Sequence, residues 1–563
     1  MSSARRLRRV ALAAAAVAGG ALMSIGGAAA AGPFEQAPFS AQGLSIMQTT
    51  ASTRMTIDDK LPARGYGGPS SMLVDPANPR VIVAQTTQLR TRTCKLLRSD
   101  DAGATWHILP GTPSPSAYPY CMTPGDAGSP QAVIAWGKNN VLYYAMAGYN
   151  VAERQSQANW SIVLAKSTDL GASWTSTVVE NNRPATGDSA PSDYGVTGLA
   201  VDTSGAQDVV YVGWMKEFPA SASTSPLQDG EVDVATSTDG GLSFGKPANL
   251  NTFTHVTVTK DGTAYPLIGM SYFANPFLTA HDGTVLAVEG AQFSTTNAPG
   301  GNAFDDSIPL PQLVARSTDR GQTWTVNAMG PPTYTANGGG SGSMTGLGWT
   351  PKGGSQGTFV AAYAVNGTTS TTSGNQQIAV QRSSDGGQSW SDPVIIEDDD
   401  LSQSFTGFYP QMGVAPNGRV DVVWEDNRNT TNDHFQVFYT YSTDGGVTWA
   451  HNVQVTDQAI NFDFGISYRG DIRQPPGVAS TNDFAAVGWA DPRLATADTG
   501  TQDDYGAIVQ FNTIPPTTSP TWPIIVAVID GFATAAIVAG LVILVRRRQR
   551  AGTVAERGSV RSG

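Results

Sequence analysis

One eight-residue stretch recurs along this 563-residue chain and limits what it can fold into. It reads "STDGGVTW" from Ser442 to Trp449. Near-copies stand at "SDDAGATW" from Ser99, "STDLGASW" from Ser167, "STDGGLSF" from Ser237, "STDRGQTW" from Ser317 and "SSDGGQSW" from Ser383. The copies begin 68, 70, 80, 66 and 59 residues apart. That period is too long for the small helical solenoids and suits a unit of four short strands with their loops.

The flanking sequence supports strands. Before the sixth copy, "QMGVAPNGRVDVVWEDNR" gives two β-rich runs joined at "PNG", and "FQVFYTYSTDGG" gives a third that runs into the box. One more strand follows each box, as in "NVQVTD" and "DPVIIED". Each unit therefore reads strand A, strand B, strand C, box, strand D, which is a blade of a β-propeller. After the last box, "PPGVASTNDFAAVGWADPR" and "DDYGAIVQFN" supply strands A to C of a further blade that has neither box nor strand D. A strand from "GLSIMQTT" or "RMTIDDK" near the N-terminus completes it and removes the open sheet edge. The expected fold is an all-β propeller of four-stranded antiparallel blades over 32–513, with seven blades favoured over six.

In each box the serine hydroxyl and the aspartate carboxylate can bond the backbone of their own turn. A glycine such as Gly446 suits positive φ, and Trp449 can pack into the blade. Asp101, Asp169, Asp239, Asp319, Asp385 and Asp444 are equivalent and spread around a ring, so they cannot meet at one substrate. Their role is structural, and the box lacks the alternating carboxylates of a calcium loop.

The pattern Ser-x-Asp-x-Gly-x-Ser/Thr-Trp, six times over, resembles the Asp-box (bacterial neuraminidase) repeat of the sialidase superfamily, across roughly Ser70 to Phe511. The resemblance implies box turns on one face and an active site on the other, where the B to C and D to A loops lie. It also implies a tyrosine nucleophile paired with a glutamate, and three arginines that clamp the substrate carboxylate. A guanidinium fork binds a carboxylate in bidentate fashion, and a neutral phenol avoids the repulsion between an anionic substrate and a carboxylate nucleophile. The family's motif of an aromatic residue followed by Arg-Ile-Pro is absent. Arg80, the nearest arginine of the first blade, falls in an A to B turn on the box face.

The loops of the last two blades gather candidates. "WEDNRN" (Trp424 to Asn429) and "WADPR" (Trp489 to Arg493) open two B to C loops, and "FGISYRGDIRQ" (Phe464 to Gln474) lies between them. Arg428, Arg469, Arg473 and Arg493 are the candidate substrate-binding residues, with Tyr468 and Glu425 the candidate catalytic pair. Arg90 and Arg92 of the first blade join them if the ring closes. The alternative is that Asp426 pairs with Arg428, and Asp491 with Arg493, inside each loop. No cofactor is called for; "EDDD" (Glu397 to Asp400) reads either as a calcium site or as an exposed acidic loop.

The two ends stand apart from the propeller. Residues 1–31 have an arginine-rich head, an apolar run and an Ala-x-Ala site, the pattern of a secretory signal. Pro-rich 514–523 reads as a stalk, and Ile524 to Val545 is a mainly apolar run of 22 residues, interrupted by Asp530 and long enough for one membrane helix. Arginines at 546, 547, 548 and 550 set 546–563 as a basic cytoplasmic tail, with the propeller outside the cell. Between Gly32 and Thr521 there are 24 basic and 44 acidic side chains. Such a surface argues against a nucleic-acid partner and leaves an extracellular glycan or surface protein. Cys94 and Cys121, the two cysteines, fall on loops of the same face, and an oxidising compartment permits a disulfide between them. The expected function is a membrane-anchored sialidase-like propeller acting on glycans, an exo-α-sialidase if catalytic. The alternative is a non-catalytic surface module that binds glycan or protein.

Overall fold

The computed structural model describes residues 24–25 and 34–512, except 41, 57–66, 90, 122–131, 151–159, 183–192, 218–230, 271–276, 294–309, 331–344, 367–375, 401–406, 431–433, 462–474 and 496–501. Of the expected signal only Ser24–Ile25 falls among them, as a short strand beside Thr257–Val258. The stalk, the membrane span and the tail lie outside the described residues. Among those described, no helix is long and apolar enough to cross a membrane.

Seven antiparallel sheets make seven blades. Their innermost strands are Met72–Asp75, Ala132–Trp136, Asp193–Asp202, Leu278–His281, Thr345–Thr350, Gly407–Val414 and Gly477–Ser480. Each touches the next in cyclic order, and the seventh touches the first. Blade 4 carries an extra hairpin, Thr257–Lys260 with Thr263–Met270, which accounts for the 80-residue box spacing. Its second strand continues the edge of Thr284–Phe293 that Leu278–His281 begins.

The N-terminal segment closes the ring as a strap across three blades. Glu35–Gln36 runs parallel to Val394–Ile395 of blade 5. Phe39 bridges to Trp449, and Gln42 receives the Thr443 amide at the blade 6 box. Gln48–Thr49 and Thr53–Arg54 then pair antiparallel with Asp503–Gln510 of blade 7. Both candidate N-terminal stretches thus contribute to the missing outer strand, so the last sheet has no free edge there.

All six boxes have one hydrogen-bond pattern. The serine hydroxyl donates to the aspartate Oδ1 at 2.7–2.9 Å. It accepts from the amide of the glycine four residues on, at 2.8–2.9 Å. The aspartate Oδ2 accepts the Ser/Thr hydroxyl at 2.5–2.7 Å. That glycine has φ between 78° and 88° in every copy, and it lies against the preceding blade. A Cβ on Gly103 would come within 2.7 Å of Ile508 in blade 7, and one on Gly241 within 2.7 Å of Leu164 in blade 2. The box therefore ties its own hairpin and seats it on its neighbour.

Apolar side chains fill the seams between blades. Val423, Tyr439, Val487 and Trp489 pack between blades 6 and 7, and Val360, Val380, Trp424 and Phe438 between blades 5 and 6. Each such side chain contributes roughly 1.5–3 kcal/mol by leaving water.

Blade 7 has no box, and a buried arginine takes over its seam. Arg419 binds Asp421 through Nε at 2.7 Å and Nη2 at 2.9 Å. It also donates to the carbonyls of Thr481 at 2.9 Å and Asn482 at 3.3 Å in the blade 7 turn. Its guanidinium lies 4.0 Å from the Phe511 ring centroid, and Tyr439 donates to Asp421 at 2.6 Å. Replacing Arg419 with Leu strands Asp421 in the core, and such losses cost about 3–5 kcal/mol. Urea unfolding of Arg419→Leu is expected to show that loss; a variant as stable as the parent contradicts this role.

Candidate functional site

The box turns and the A to B turns share one face, as the bond from the Ala102 amide to the Arg80 carbonyl shows at blade 1. The B to C and D to A connections therefore line the opposite face, where function is expected to sit. Tyr468, Arg469, Arg473 and Arg90 lie outside the described residues.

Arg428 and Arg493 are built into matching loops. In each, an aspartate at the end of strand B receives three kinds of donor. Asp426 Oδ1 accepts the Arg428 amide at 2.7 Å, and its Oδ2 accepts Trp424 Nε1 at 3.1 Å and Arg428 Nη2 at 2.7 Å. Asp491 repeats this with the Arg493 amide at 2.8 Å, Trp489 Nε1 at 3.2 Å and Arg493 Nη2 at 2.6 Å. The far nitrogen of each guanidinium reaches back to the preceding connection. Arg428 Nη1 meets Asp398 Oδ1 at 3.1 Å and Asn452 Oδ1 at 3.1 Å, while Arg493 Nη1 meets Asp457 Oδ1 at 3.1 Å. The rings of Phe438 and Tyr505 lie 4.4 and 4.1 Å from the respective guanidinium centres. The structure thus pairs each arginine with the aspartate of its own loop, Arg428 beside blade 5 and Arg493 beside blade 6.

The acidic stretch 397–400 serves Arg428. Asp398 accepts from Arg428 and from the Asn452 amide, and it contacts His451 at 3.0 Å. Burial, followed by repulsion from Asp426, raises the Glu397 carboxyl well above its usual range, with Arg428 opposing both. Among the described residues no group of three or more His, Cys, Asp or Glu is placed to hold a metal ion.

Glu425 is buried and, by strand alternation, points away from Asp426 towards blade 7. Its register partner is Phe408, and the next residue, Tyr409, has φ 58° inside a strand. A bulky aromatic residue in the left-handed region, directly before Pro410, stores backbone strain of a kind that clusters at functional sites. A buried phenol and a buried carboxyl thus stand one register step apart at the loop end of blade 6. The "GFYP" stretch gave no sign of this, because the strain arises from a bulge between Phe408 and Gln411.

In the core between blades 1 and 2, Cys94 and Cys121 form a disulfide with Cα atoms 5.7 Å apart. Closing a loop of this 27-residue separation adds about 3.5 kcal/mol in the chain-entropy model. Arg92, near it, lies 5.6 Å from the Tyr120 ring centroid. Asp503 takes Arg54 at 3.0 Å. Asp504 Oδ1 accepts the Gly68 amide at 2.9 Å, and burial pushes this carboxyl up to about 7 although its hydrogen bonds with Thr86 and Gly68 act against the rise.

No protein-family model matches the chain, and no curated protein matches it. Solved structures similar to it include the α-L-arabinanase of Penicillium chrysogenum, at 13% identity and TM-score 0.41 over 67% of this chain and 94% of that one. A protein of unknown function from Dyadobacter fermentans aligns at 14% identity and TM-score 0.40, over 83% of this chain and 99% of that one. A Hadza microbial sialidase aligns at 14% identity and TM-score 0.38, over 75% and 73%.

The Asp504 carboxyl generates a test. Its folded pKa lies above the ordinary aspartate value of 3.8, so the folded state holds the proton more tightly than the unfolded chain. The resulting stability is complete below about pH 4 and is lost as the pH rises towards 7. Asp504→Asn is expected to flatten the fall in urea midpoint between pH 5 and 8; parallel profiles for parent and variant contradict the assignment.

Proposed function

We propose that this chain is a membrane-anchored extracellular propeller whose loop face handles glycans. The signal at 1–31 and the span at 524–545 support the topology, and the six boxes, which secure the opposite face, leave the loop face to function. The observation that carries the reading is the strained Tyr409 beside Glu425. A phenol with a neighbouring carboxyl suits attack on a sugar that bears its own negative charge.

Its hydrolytic form is exo-α-sialidase cleavage. Glu425 takes the phenolic proton of Tyr409, or of Tyr468. Because Arg428 and Arg493 already bond carboxylates at their seams, the substrate's carboxylate falls to Arg469 and Arg473, with Arg90 and Arg92 from blade 1. The same arginine pairing favours a second reading, a propeller that binds glycan without cleaving it, since it leaves the clamp with fewer ready members.

The test is turnover of a fluorogenic panel, including an α-sialoside and an α-L-arabinofuranoside, together with binding to a glycan array. Release from the α-sialoside that falls about 10²- to 10⁴-fold in Glu425→Gln supports hydrolysis, because positioned acid–base groups contribute on that order. Array binding without turnover by the folded chain supports the second reading. Absence of both turnover and binding in the folded chain overturns the glycan assignment.

A further inference from the structure

A cavity of about 570 Å³ runs between the innermost strands of blades 1, 2, 6 and 7, along the propeller axis. Its size falls inside the range of roughly 300–1,000 Å³ seen for small-molecule sites. Pro76, Pro416 and Asn482, all exposed, rim it at the A to B turns, so it opens on the box face. At its other end it reaches the buried Ser70 and Gln411. Its opening thus lies on the face opposite the loop-face site, and nothing about it rests on the glycan reading.

The wall is mainly apolar. Met72, Ile134, Met412 and Val478 contribute to it, and the two methionines give a soft surface that adapts to a ligand's shape. Three residues of its lining carry buried polar atoms with no hydrogen-bond partner among the described residues: Trp136 Nε1, Gln411 Nε2 and Ser480 Oγ. Gln411 is 2% exposed, so its amide cannot turn to bulk water. A buried donor left unmatched costs about 1–3 kcal/mol. The first two groups can only donate, and the hydroxyl can also donate, so the matching ligand offers acceptor oxygens. Among the described residues no lysine, arginine or histidine lines the cavity, while Asp75 and Asp483 do, which disfavours an anion.

We infer that the axial channel is a second binding site, open on the box face, for an uncharged and mainly apolar small molecule bearing a carbonyl or ether oxygen. The apolar body packs between Met72 and Met412, and its oxygen accepts from Trp136 and Gln411.

Prodan, a neutral naphthalene ketone whose emission reports polarity and hydrogen bonding, is a suitable probe. The full-length chain is reconstituted in lipid nanodiscs, with empty discs as background. The expected result is a saturable, blue-shifted component of one probe per chain. Met412→Trp, which fills the channel, abolishes it. Trp136→Phe, which removes one donor and keeps the ring, weakens it about three- to tenfold, the loss of a single hydrogen bond. Absence of a saturable component in the parent, or an affinity unchanged in Trp136→Phe, overturns the proposal and leaves the channel to water. Trp136→Phe decides the matter even where Met412→Trp fails to fold.

Discussion

The structure depends on one small network, the bond from a box serine to the aspartate two residues on. That aspartate then holds the amide and hydroxyl of the residue directly before the aromatic one. The network fixes a turn in which a glycine reaches positive φ, and that glycine lies against the blade before it. A four-stranded sheet cannot bury both faces alone, so each blade is stable only between neighbours. Because the tie at the hairpin is also the contact at the seam, folding a blade and docking it are one event. The hydroxyls and backbone amides around these aspartates hold their carboxyls below the usual range. Asp239, bonded first by Ser243 and then by Ser237, lies at about 2 and stays ionised through ordinary conditions.

Two further devices carry the same logic where no box is available. Arg419 grips the turn of blade 7 by its carbonyls on the box face. On the loop face, Arg428 and Arg493 stand on their own aspartates and reach back to the preceding connection. Blades 5, 6 and 7 are thus stitched at both faces, and the N-terminal strap crosses these same three blades before it closes the ring. The seams between them carry more polar stitching than burial of apolar area alone would require.

Blade order, the box's role and the closing strand were legible in the sequence because each rests on short-range pattern. Strand alternation, turn residues and a hydroxyl two positions from a carboxylate act over fewer than ten residues. The two cysteines were legible for a different reason, since the strand plan put both on one face. The arginines were not. "WEDNRN" and "WADPR" suit a ligand clamp as well as a local pair, and the choice turns on Asp398, Asn452 and Asp457, which other segments bring in. Arg419 gave no signal because most of its partners are backbone carbonyls, which carry no residue identity. Tyr409 gave none because its φ comes from a bulge set by cross-strand register.

If closure by the strap makes the ring one cooperative unit, the seam between blades 7 and 1 should open no sooner than the others. Native-state hydrogen exchange at the box glycine amides reads this directly, since each is bonded to its serine hydroxyl. In a cooperatively closed ring Gly103, at the closing seam, exchanges with the same opening free energy as Gly171, Gly241, Gly321, Gly387 and Gly446. Exchange at Gly103 well ahead of the other five would show a ring that breathes at its closure and is not one cooperative unit.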